Sequence, residues 1–471
     1  MNAINKTNKR DFTTGPLFIR LFLFAVPLML SGLLQVSYNM ADKIVVGQFS
    51  SDTDALAAIG STSIVSTCII NFALGFSAGS GVIVAQHFGA KDNERLSKSI
   101  HTAVALALFA GLTVSLFGFS ISRPILVLME TKPELLETAI LYLRIICLGI
   151  PASILYNFGA AILRSIGDSK TSLYILGTSG LINVILNFFF VLSFDMGADG
   201  VALATIISQY ASAIAVVVVM TRQKGACKFF FKKISVDWKI LKSIVKVGLP
   251  AGIQSSLFAI SNLVITKAFN TFPKTTVHAR TVVQSVDGIV STLITSYTRS
   301  TLALTAQNYG AGNIKRIKKV FFYSLIQTTV ISFGVAQIIL LFCRPIASLY
   351  IGSGNENIEE ILTIAEGFFT ILLNTYFLCG VMDIMSSSLR GMKYSIATMI
   401  ISLSCAIPFR IGWVYLIFPH APFDTANWLM ASFPISWLIA IIPYTIMILV
   451  AWRKLTKKFS PKGTPEIKNA S

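Results

Sequence analysis

Three carboxylates interrupt otherwise apolar stretches of the chain: Asp42, Asp287 and Asp383. A charge at the centre of a bilayer costs about 2.5–3.5 kcal/mol on insertion scales, so such a group faces a cavity or a partner. Asp42 sits in Tyr38-Asn39-Met40-Ala41-Asp42-Lys43, and Tyr38, four residues earlier, shares its helical face. Desolvation favours the neutral carboxylic acid, and a nearby cation favours the carboxylate. A carboxyl group in a polar cavity therefore exchanges protons or coordinates Na+ as access alternates. The competing reading is an ion pair between helices, with Lys43 or an arginine of another segment as partner. Asn183 and Asn187 are again four apart, and Thr205 follows in Ala202-Leu203-Ala204-Thr205. Amides and hydroxyls at such positions either line a site or bond neighbouring helices. Lys43, Arg144, Arg299 and Arg410 are the basic residues in apolar surroundings. For Arg410 the alternatives are structural pairing, for example with Asp383, or contact with an anionic group of a substrate.

Other chemistries find no support. Gly75-Phe76-Ser77-Ala78-Gly79 matches the GxSxG pattern of serine hydrolases, which works on a sharp strand-to-helix turn with a His and an acid nearby. Here it lies within an apolar run, where small residues four apart serve close helix packing. The loop around Gly89-Ala90 lacks the GxxxxGK[ST] arrangement of a phosphate-binding loop. His87, His101, His278 and His420 are scattered, and the six cysteines show no CxxC spacing, so no metal site is expected beyond Na+ at Asp42. We expect no enzyme and no cofactor.

The elements that must position these residues follow from composition. The 471 residues are 54% hydrophobic and only 13% charged, against roughly 25% charged in a soluble domain. Soluble cores stop growing beyond about 250–300 residues, so they cannot hide this much apolar surface. Apolar stretches long enough to cross a bilayer, about 20 residues each, recur at 17–47, 55–86, 96–121, 134–163, 171–194, 198–221, 241–269, 277–306, 317–343, 358–389, 395–418 and 428–452. The first is too long for a signal-peptide core and reads as an uncleaved span. Pro27, Pro151, Pro250, Pro408, Pro434 and Pro443 are candidate kinks. The fold class expected is an all-α polytopic membrane protein of about twelve helices.

The formal charge of +18 sorts by side. Twenty-nine of the 39 basic residues fall in the two tails (Lys6, Lys9, Arg10 and Arg20; Arg453 to Lys468), in the even-to-odd connections and in the central stretch 222–246. Opposite-side connections hold Arg123, Lys132, Lys267, Lys274, Arg280 and Arg344. The positive-inside rule then places both termini and the central loop in the cytoplasm, facing anionic lipid head groups rather than nucleic acid.

The chain also repeats itself. Gln86-x-x-Gly89-Ala90-x4-Arg95-x-x-Lys98 reappears as Gln307-x-x-Gly310-Ala311-x4-Arg316-x-x-Lys319, and Arg123-Pro124 as Arg344-Pro345 at the same offset. Pro27 and Asn39 match Pro250 and Asn262. Each half has an even number of spans, so the repeats are parallel, the arrangement of transporters with a central site near the midplane. The organisation expected is a six-helix lobe at 1–221, a basic cytoplasmic linker at 222–246, a second lobe at 247–455 and a cytoplasmic tail at 456–471.

With these residues the chain resembles the multidrug and toxic compound extrusion (MATE) family, in its DinF-like branch, over about 15–455. The matching features are Pro27, Tyr38-x-x-x-Asp42-x4-Gly47, both QxxGA loops, Leu163-Arg164 with Gly167-Asp168, Asn183-x3-Asn187 through Thr205, and Leu389-Arg390-Gly391. The resemblance implies two lobes rocking about a central cavity in a bacterial inner membrane, exporting amphipathic organic cations in exchange for H+ or Na+. It implies a coupling-cation site at Tyr38, Asp42, Asn183, Asn187 and Thr205. Some family members have Asp where Asn187 stands, and the acidic pair that some relatives carry in the second lobe is not evident. Gln254, Ser255 and Phe258 occupy the stretch where one of those acids would be sought. Asp287, Asp383, Arg410, Gln254 and Asn262 are the candidates for cavity or charge roles there. A single deep carboxylate slightly favours H+ as coupling ion. A monomer is expected, with lipids and small-molecule drugs as its partners. The alternative is a flippase for an anionic lipid-linked oligosaccharide precursor, which Arg144, Arg299 and Arg410 would serve if they line the cavity.

Overall fold

The computed structural model describes residues 10–49, 55–351 and 357–459, and the side chains at 43, 46–49, 55–58 and 64 lie outside that description. Lys6, Lys9, Lys462 and Lys468 of the tails, and the Lys43 side chain, therefore fall outside the described residues. Twelve long helices run through the rest: α1 (Leu17–Phe49), α2 (Ala55–Gly89), α3 (Asn93–Leu128), α4 (Pro133–Ser165), α5 (Lys170–Ser193), α6 (Ala198–Thr221), α7 (Trp238–Phe269), α8 (Lys274–Gly310), α9 (Ile314–Leu341), α10 (Ile358–Gly391), α11 (Ser395–Ile417) and α12 (Ala426–Phe459). A short helix, Cys343–Ser348, precedes α10. No strand occurs among the described residues. At 1.5 Å per residue, each long helix exceeds the roughly 30 Å hydrocarbon thickness. Large apolar side chains such as Leu116, Ile214, Leu416 and Ile446 are exposed around the bundle, as lipid-facing groups are. The chain is a multi-pass membrane protein.

Eleven of the twelve helices are also apolar enough to span a membrane by composition. The exception is α8, which carries Arg280, Gln284, Asp287 and Arg299. Its polarity is affordable because these four side chains line an internal cavity rather than lipid. Arg280 lies within α8 and Lys267 in the last turn of α7, as the expected spans 241–269 and 277–306 have them, and not in the opposite-side connections to which the charge sorting assigned them. Only the short turn 270–273 joins α7 to α8, which leaves neither residue outside a helix.

The duplication extends into the caps. Asp92 accepts a hydrogen bond from the Arg95 amide at the start of α3, and Asn313 accepts the matching one from Arg316 at the start of α9. Lys91 (φ 56°) and Gly312 (φ 68°) turn the chain through the left-handed region just before each cap. Wide turns interrupt α5 at 189–193 and α11 at 402–406 and 413–417.

Two hydrophobic cores follow the two halves, with one exchange. The C-terminal core, built on α8, α9, α10 and α12, also takes Leu17, Leu21, Phe24, Ala25 and Leu28 from the first half of α1. The N-terminal core, built on α2, α3, α4 and α6, takes Ile240, Ile244 and Val247 from the start of α7. Each repeat thus lends the opening turns of its first helix to the other. The repeated prolines, Pro27 and Pro250, lie where the exchanged segments end.

The boundary between the halves is glycine-lined, as the Gly75 and Gly79 spacing implies. A Cβ at Gly75 would lie 2.5 Å from the Ala251 carbonyl oxygen, and one at Gly79 equally close to the Gly248 nitrogen and Ile244 carbonyl. At the end of the bundle bearing both termini, the QxxGA motifs cross. A Cβ at Gly89 would fall 1.9 Å from the Gln307 carbonyl oxygen, and one at Gly310 the same distance from that of Gln86. The two glutamines reach past each other: Gln86 donates to the Gly391 carbonyl (2.9 Å) and Gln307 to that of Ser165 (2.7 Å). This end of the lobe boundary is sealed.

A strap lies over the seal. Arg10 pairs with Asp168 (2.8 Å) and donates to Gln223 (2.8 Å) on the N-terminal lobe. Two residues later, the Phe12 amide donates to Gln307 (3.0 Å), and the Phe12 carbonyl accepts from Arg316 Nε (2.7 Å) on the C-terminal lobe.

Candidate functional site: a carboxylate pocket and a central cavity

The N-terminal lobe brings four of the five expected site residues to the contact between α1 and α5. Asn187 is fully buried and donates from Nδ2 to Asp42 Oδ1, and its other partner is Asn183 Oδ1 at 3.5 Å. Helical spacing places both amides on one face, which is why α5 aims them together at α1. The Asn187 Oδ1 atom is buried with no hydrogen-bond partner. Tyr38 lies flat against α5 and donates to the Gly177 carbonyl (3.1 Å). Gly180 makes this approach possible, since a Cβ there would sit 1.8 Å from the Tyr38 ring. Thr205 of α6 is partly buried, and its hydroxyl makes no hydrogen bond to the other four among the described residues. Tyr142 of α4 lies close to Asp42 and packs with Val45, Val191 and Val201. Sequence reasoning missed it, because no spacing within α4 links it to α1. No carboxylate–cation pair within 4 Å involves Asp42 among the described residues, so the helix-pairing reading with an arginine finds no support there. The pocket offers carboxylate and amide oxygens and a titratable group, which suits a proton or a hard cation such as Na+.

The second region is a cavity of about 650 Å3 between α2, α7, α8, α10, α11 and α12. Four arginines (Arg280, Arg299, Arg390 and Arg410) and two aspartates (Asp287 and Asp383) line it, with Gln254, Asn262, Phe258, Tyr376 and Trp437. Arg410 does not pair with Asp383. It donates from Nη1 to Asn262 (2.8 Å) and from Nε to Ser436 (2.9 Å), and its guanidinium lies 4.8 Å from the Phe433 ring centre. α7 thus supplies a neutral partner, Asn262, and of the two alternatives for Arg410 the structural pairing is made, with an amide and a hydroxyl and not with Asp383. Asp383 has Arg390 as its charged neighbour instead, and Arg390 donates to Gln254 (3.0 Å), which in turn donates to Ser402 (2.6 Å). Asp287 has Arg280 and Tyr376 beside it. Arg280 lies over the Phe269 and Phe433 rings. Arg144 is not in the cavity at all: it lies over Phe119, 5.2 Å from the ring centre. Arg280 and Arg390 were not singled out from sequence, the first because it read as a loop cation and the second as part of a motif at a helix end.

Two parallel repeats, an exchanged first helix and an internal polar cavity restrict the family, and a family model, MatE, matches residues 27–189 and 250–416, one segment in each repeat. The chain belongs to the MatE family. As a MATE protein it is a multidrug efflux transporter and not an enzyme. It is 28% identical to the "Probable multidrug resistance protein YoeA" of Bacillus subtilis over 376 residues, which are 78% of this chain and 80% of that one. Its fold is that of a structure of "MATE in complex with MaL6" (TM-score 0.87, 22% identity, 96% of this chain and 100% of that one). It also matches the "Outward-facing conformation of a multidrug resistance MATE family transporter of the MOP superfamily" (TM-score 0.84, 21% identity, 96% of this chain and 99% of that one).

Proposed function

We propose that the chain is a secondary active antiporter of the bacterial inner membrane, coupled through Asp42, that expels amphipathic organic cations. The observation that carries this reading is the setting of Asp42: a deep carboxylate whose described neighbours are the neutral amides Asn187 and Asn183 and the Tyr142 ring. A carboxylate held by neutral groups takes up a proton readily, whereas one locked to an arginine resists protonation because the cation favours the charged form. With one carboxylate in the pocket, H+ is the coupling ion and Na+ the alternative. Cytoplasmic termini follow from the basic tails and loops. The sealed QxxGA crossing then closes the cytoplasmic side, and the cavity belongs to an outward-facing state. Asp287 and Asp383, with Tyr376, Phe258 and Trp437, receive the cationic amphipath.

The test is uptake of ethidium and rhodamine 6G into everted vesicles under an imposed pH or Na+ gradient. Gradient-driven uptake in the wild-type chain, lost in Asp42→Asn, is the expected result. Undiminished driven uptake in Asp42→Asn removes the residue from the coupling.

A second reading is a flippase for an anionic lipid-linked precursor, and four cavity arginines favour it. Movement of a fluorescent polyprenyl-diphosphate lipid between leaflets, without dye efflux, would replace the first reading with this one.

A further inference from the structure

The stretch that joins the two lobes is not a plain hydrophilic loop. Between residues 230 and 238 it exposes five large apolar side chains, Phe230, Phe231, Ile234, Val236 and Trp238, of which Phe231 (64%) and Trp238 (77%) are the most open. Lys228, Lys232, Lys233 and Lys239 are interleaved with them. The Nζ atoms of Lys228 and Lys233 lie 5.0 and 4.9 Å from the centre of the Phe230 ring. Contiguous exposed apolar surface marks an interaction site. The lysines decide the sign of the partner.

The linker is fixed in place, and at a particular depth. Phe229 is buried and stacks on the His101 ring of α3 (5.3 Å between centres). His101 accepts from the Phe230 amide at Nε2 (3.1 Å), and its Nδ1 reaches the Ser97 carbonyl (2.7 Å). The Thr102 hydroxyl accepts from the Asp237 amide (3.1 Å) and donates to the Ser235 carbonyl (3.3 Å). His101 lies eight residues into α3, about 12 Å from its start. The 36 residues of α3 make a helix about 54 Å long, roughly 24 Å more than the hydrocarbon layer. Half of that excess brings His101 to the edge of the layer. Leu108, two turns on, is the first large apolar side chain that α3 exposes. The linker thus folds back along α3 to the level of the lipid head groups.

Between α3 and the linker opens a cleft of about 310 Å3, lined by Ser97, Lys98, Lys232, Lys233, Ser235 and the His101 ring. Lys98 is shared with Glu94 (2.6 Å), whereas among the described residues no carboxylate comes within 4 Å of Lys232 or Lys233. Both His101 nitrogens are engaged, so the ring is a wall and the lysines are the donors. The repeat supplies a contrast. At the offset that matches Pro27 with Pro250, linker residues 234–238 correspond to strap residues 11–15. Phe12 of the strap is buried against Phe24, and Arg316 holds the Phe12, Thr14 and Gly15 carbonyls. Arg95, the counterpart of Arg316, turns instead to Asp92 (3.4 Å). One copy of the segment is covered by protein, and the other keeps its aromatic rings and lysines exposed.

We infer that the linker is a docking surface for an anionic phospholipid of the cytoplasmic leaflet. The lipid phosphate enters the cleft between Lys98, Lys232 and Lys233, and Phe231 and Trp238 enter the head-group layer. Depth and the interleaved aromatics select a lipid over other acidic partners, because a soluble anion has no use for the rings and a nucleic acid does not reach the head-group layer. Since the linker is fastened to α3 and runs into the opening turns of α7, the docked lipid holds the N-terminal lobe at the membrane surface. The inference rests on the cytoplasmic placement proposed above and not on the transported substrate.

The experiment reads Trp238 emission in phosphatidylcholine nanodiscs, as the difference between each full-length chain and the same chain carrying Trp238→Phe. Brominated phosphatidylglycerol or brominated phosphatidylcholine is added at the same mole fraction. Stronger quenching by the anionic lipid is expected, and the preference should shrink at high salt. The ratio of the two quenching constants should fall up to about fivefold for each lysine removed, in Lys232→Gln and then in the double variant with Lys233→Gln. Lys274→Gln, at the opposite end of the bundle, should leave the ratio as it is. Equal quenching by the two lipids in the wild-type chain overturns the inference, and so does a preference that survives both lysine substitutions. Absence of quenching by either lipid also overturns it and leaves the surface to a soluble partner. Nanodiscs expose both faces, so these outcomes do not depend on orientation. Orientation is read apart: a membrane-impermeant maleimide should label Lys224→Cys in intact cells no more than the wild-type chain. Labelling above that level removes the cytoplasmic placement, while the nanodisc ratio still decides whether the surface binds lipid.

Discussion

The N-terminal lobe gathers one carboxylate and two amides in a small pocket between α1 and α5, whereas the C-terminal lobe lines a large cavity with four arginines and two aspartates. Both descend from the same repeat. What the duplication has kept is packing: the QxxGA crossing, the Asp92 and Asn313 caps, the exchanged first helices and their prolines. What it has let diverge is charge. Packing residues at a lobe boundary have no tolerance, because a Cβ at Gly89 or Gly310 would overlap backbone. Charges facing water or ligand can be exchanged, and each lobe has been given a different task.

The sharpest way to break this division of tasks is to swap the acids. Asp42→Asn should abolish gradient-driven transport yet leave dye binding to the purified protein nearly unchanged. Asp383→Asn should do the reverse, with coupling retained and the KM for a cationic dye raised roughly tenfold, as for one lost charge-assisted contact. Identical phenotypes for the two variants would mean that pocket and cavity are one functional unit. A smaller effect tests how the pocket is shaped. Gly180→Val forces the Tyr38 ring off α5 and should cost about 1–3 kcal/mol of overpacking. Thermal unfolding in detergent would show it, and a Tm equal to wild type would mean that Tyr38 moves freely. Smallest is the strap: Arg10→Ala removes a half-exposed ion pair worth about 1 kcal/mol or less. It should shift the lobes toward the opened seal, seen as faster thiol labelling in Ser165→Cys, a buried position beside the Gln307 contact, than in the same variant with Arg10 intact.

Much of this architecture was legible in the sequence. Long apolar runs fix the helices because an unpaired backbone cannot enter lipid. The i,i+4 spacing of Tyr38 with Asp42, and of Asn183 with Asn187, placed each pair on a face. The family resemblance brought the two pairs together. The partner of Arg410 was not legible: Asn262 lies 148 positions away on α7, and nothing in local spacing distinguishes an amide from an acid as its partner. Tyr142 was hidden for the same reason. Arg280 was counted with a connection although the apolar run 277–306 already held it, because a cation near the start of a run reads equally as loop or as a cavity-lining helix face.

The exchange of α1 and α7 between the two cores bears on how the chain is made. The first half of α1 precedes the other eleven long helices in chain order, whereas its packing partners on α8 and α9 come in the second half. The opening turns of α7, by contrast, emerge when α2, α3, α4 and α6 are already in place to receive them. In chain order, therefore, the core that α1 joins can be completed only after the second repeat has been made, whereas the core that α7 joins is already present when α7 appears.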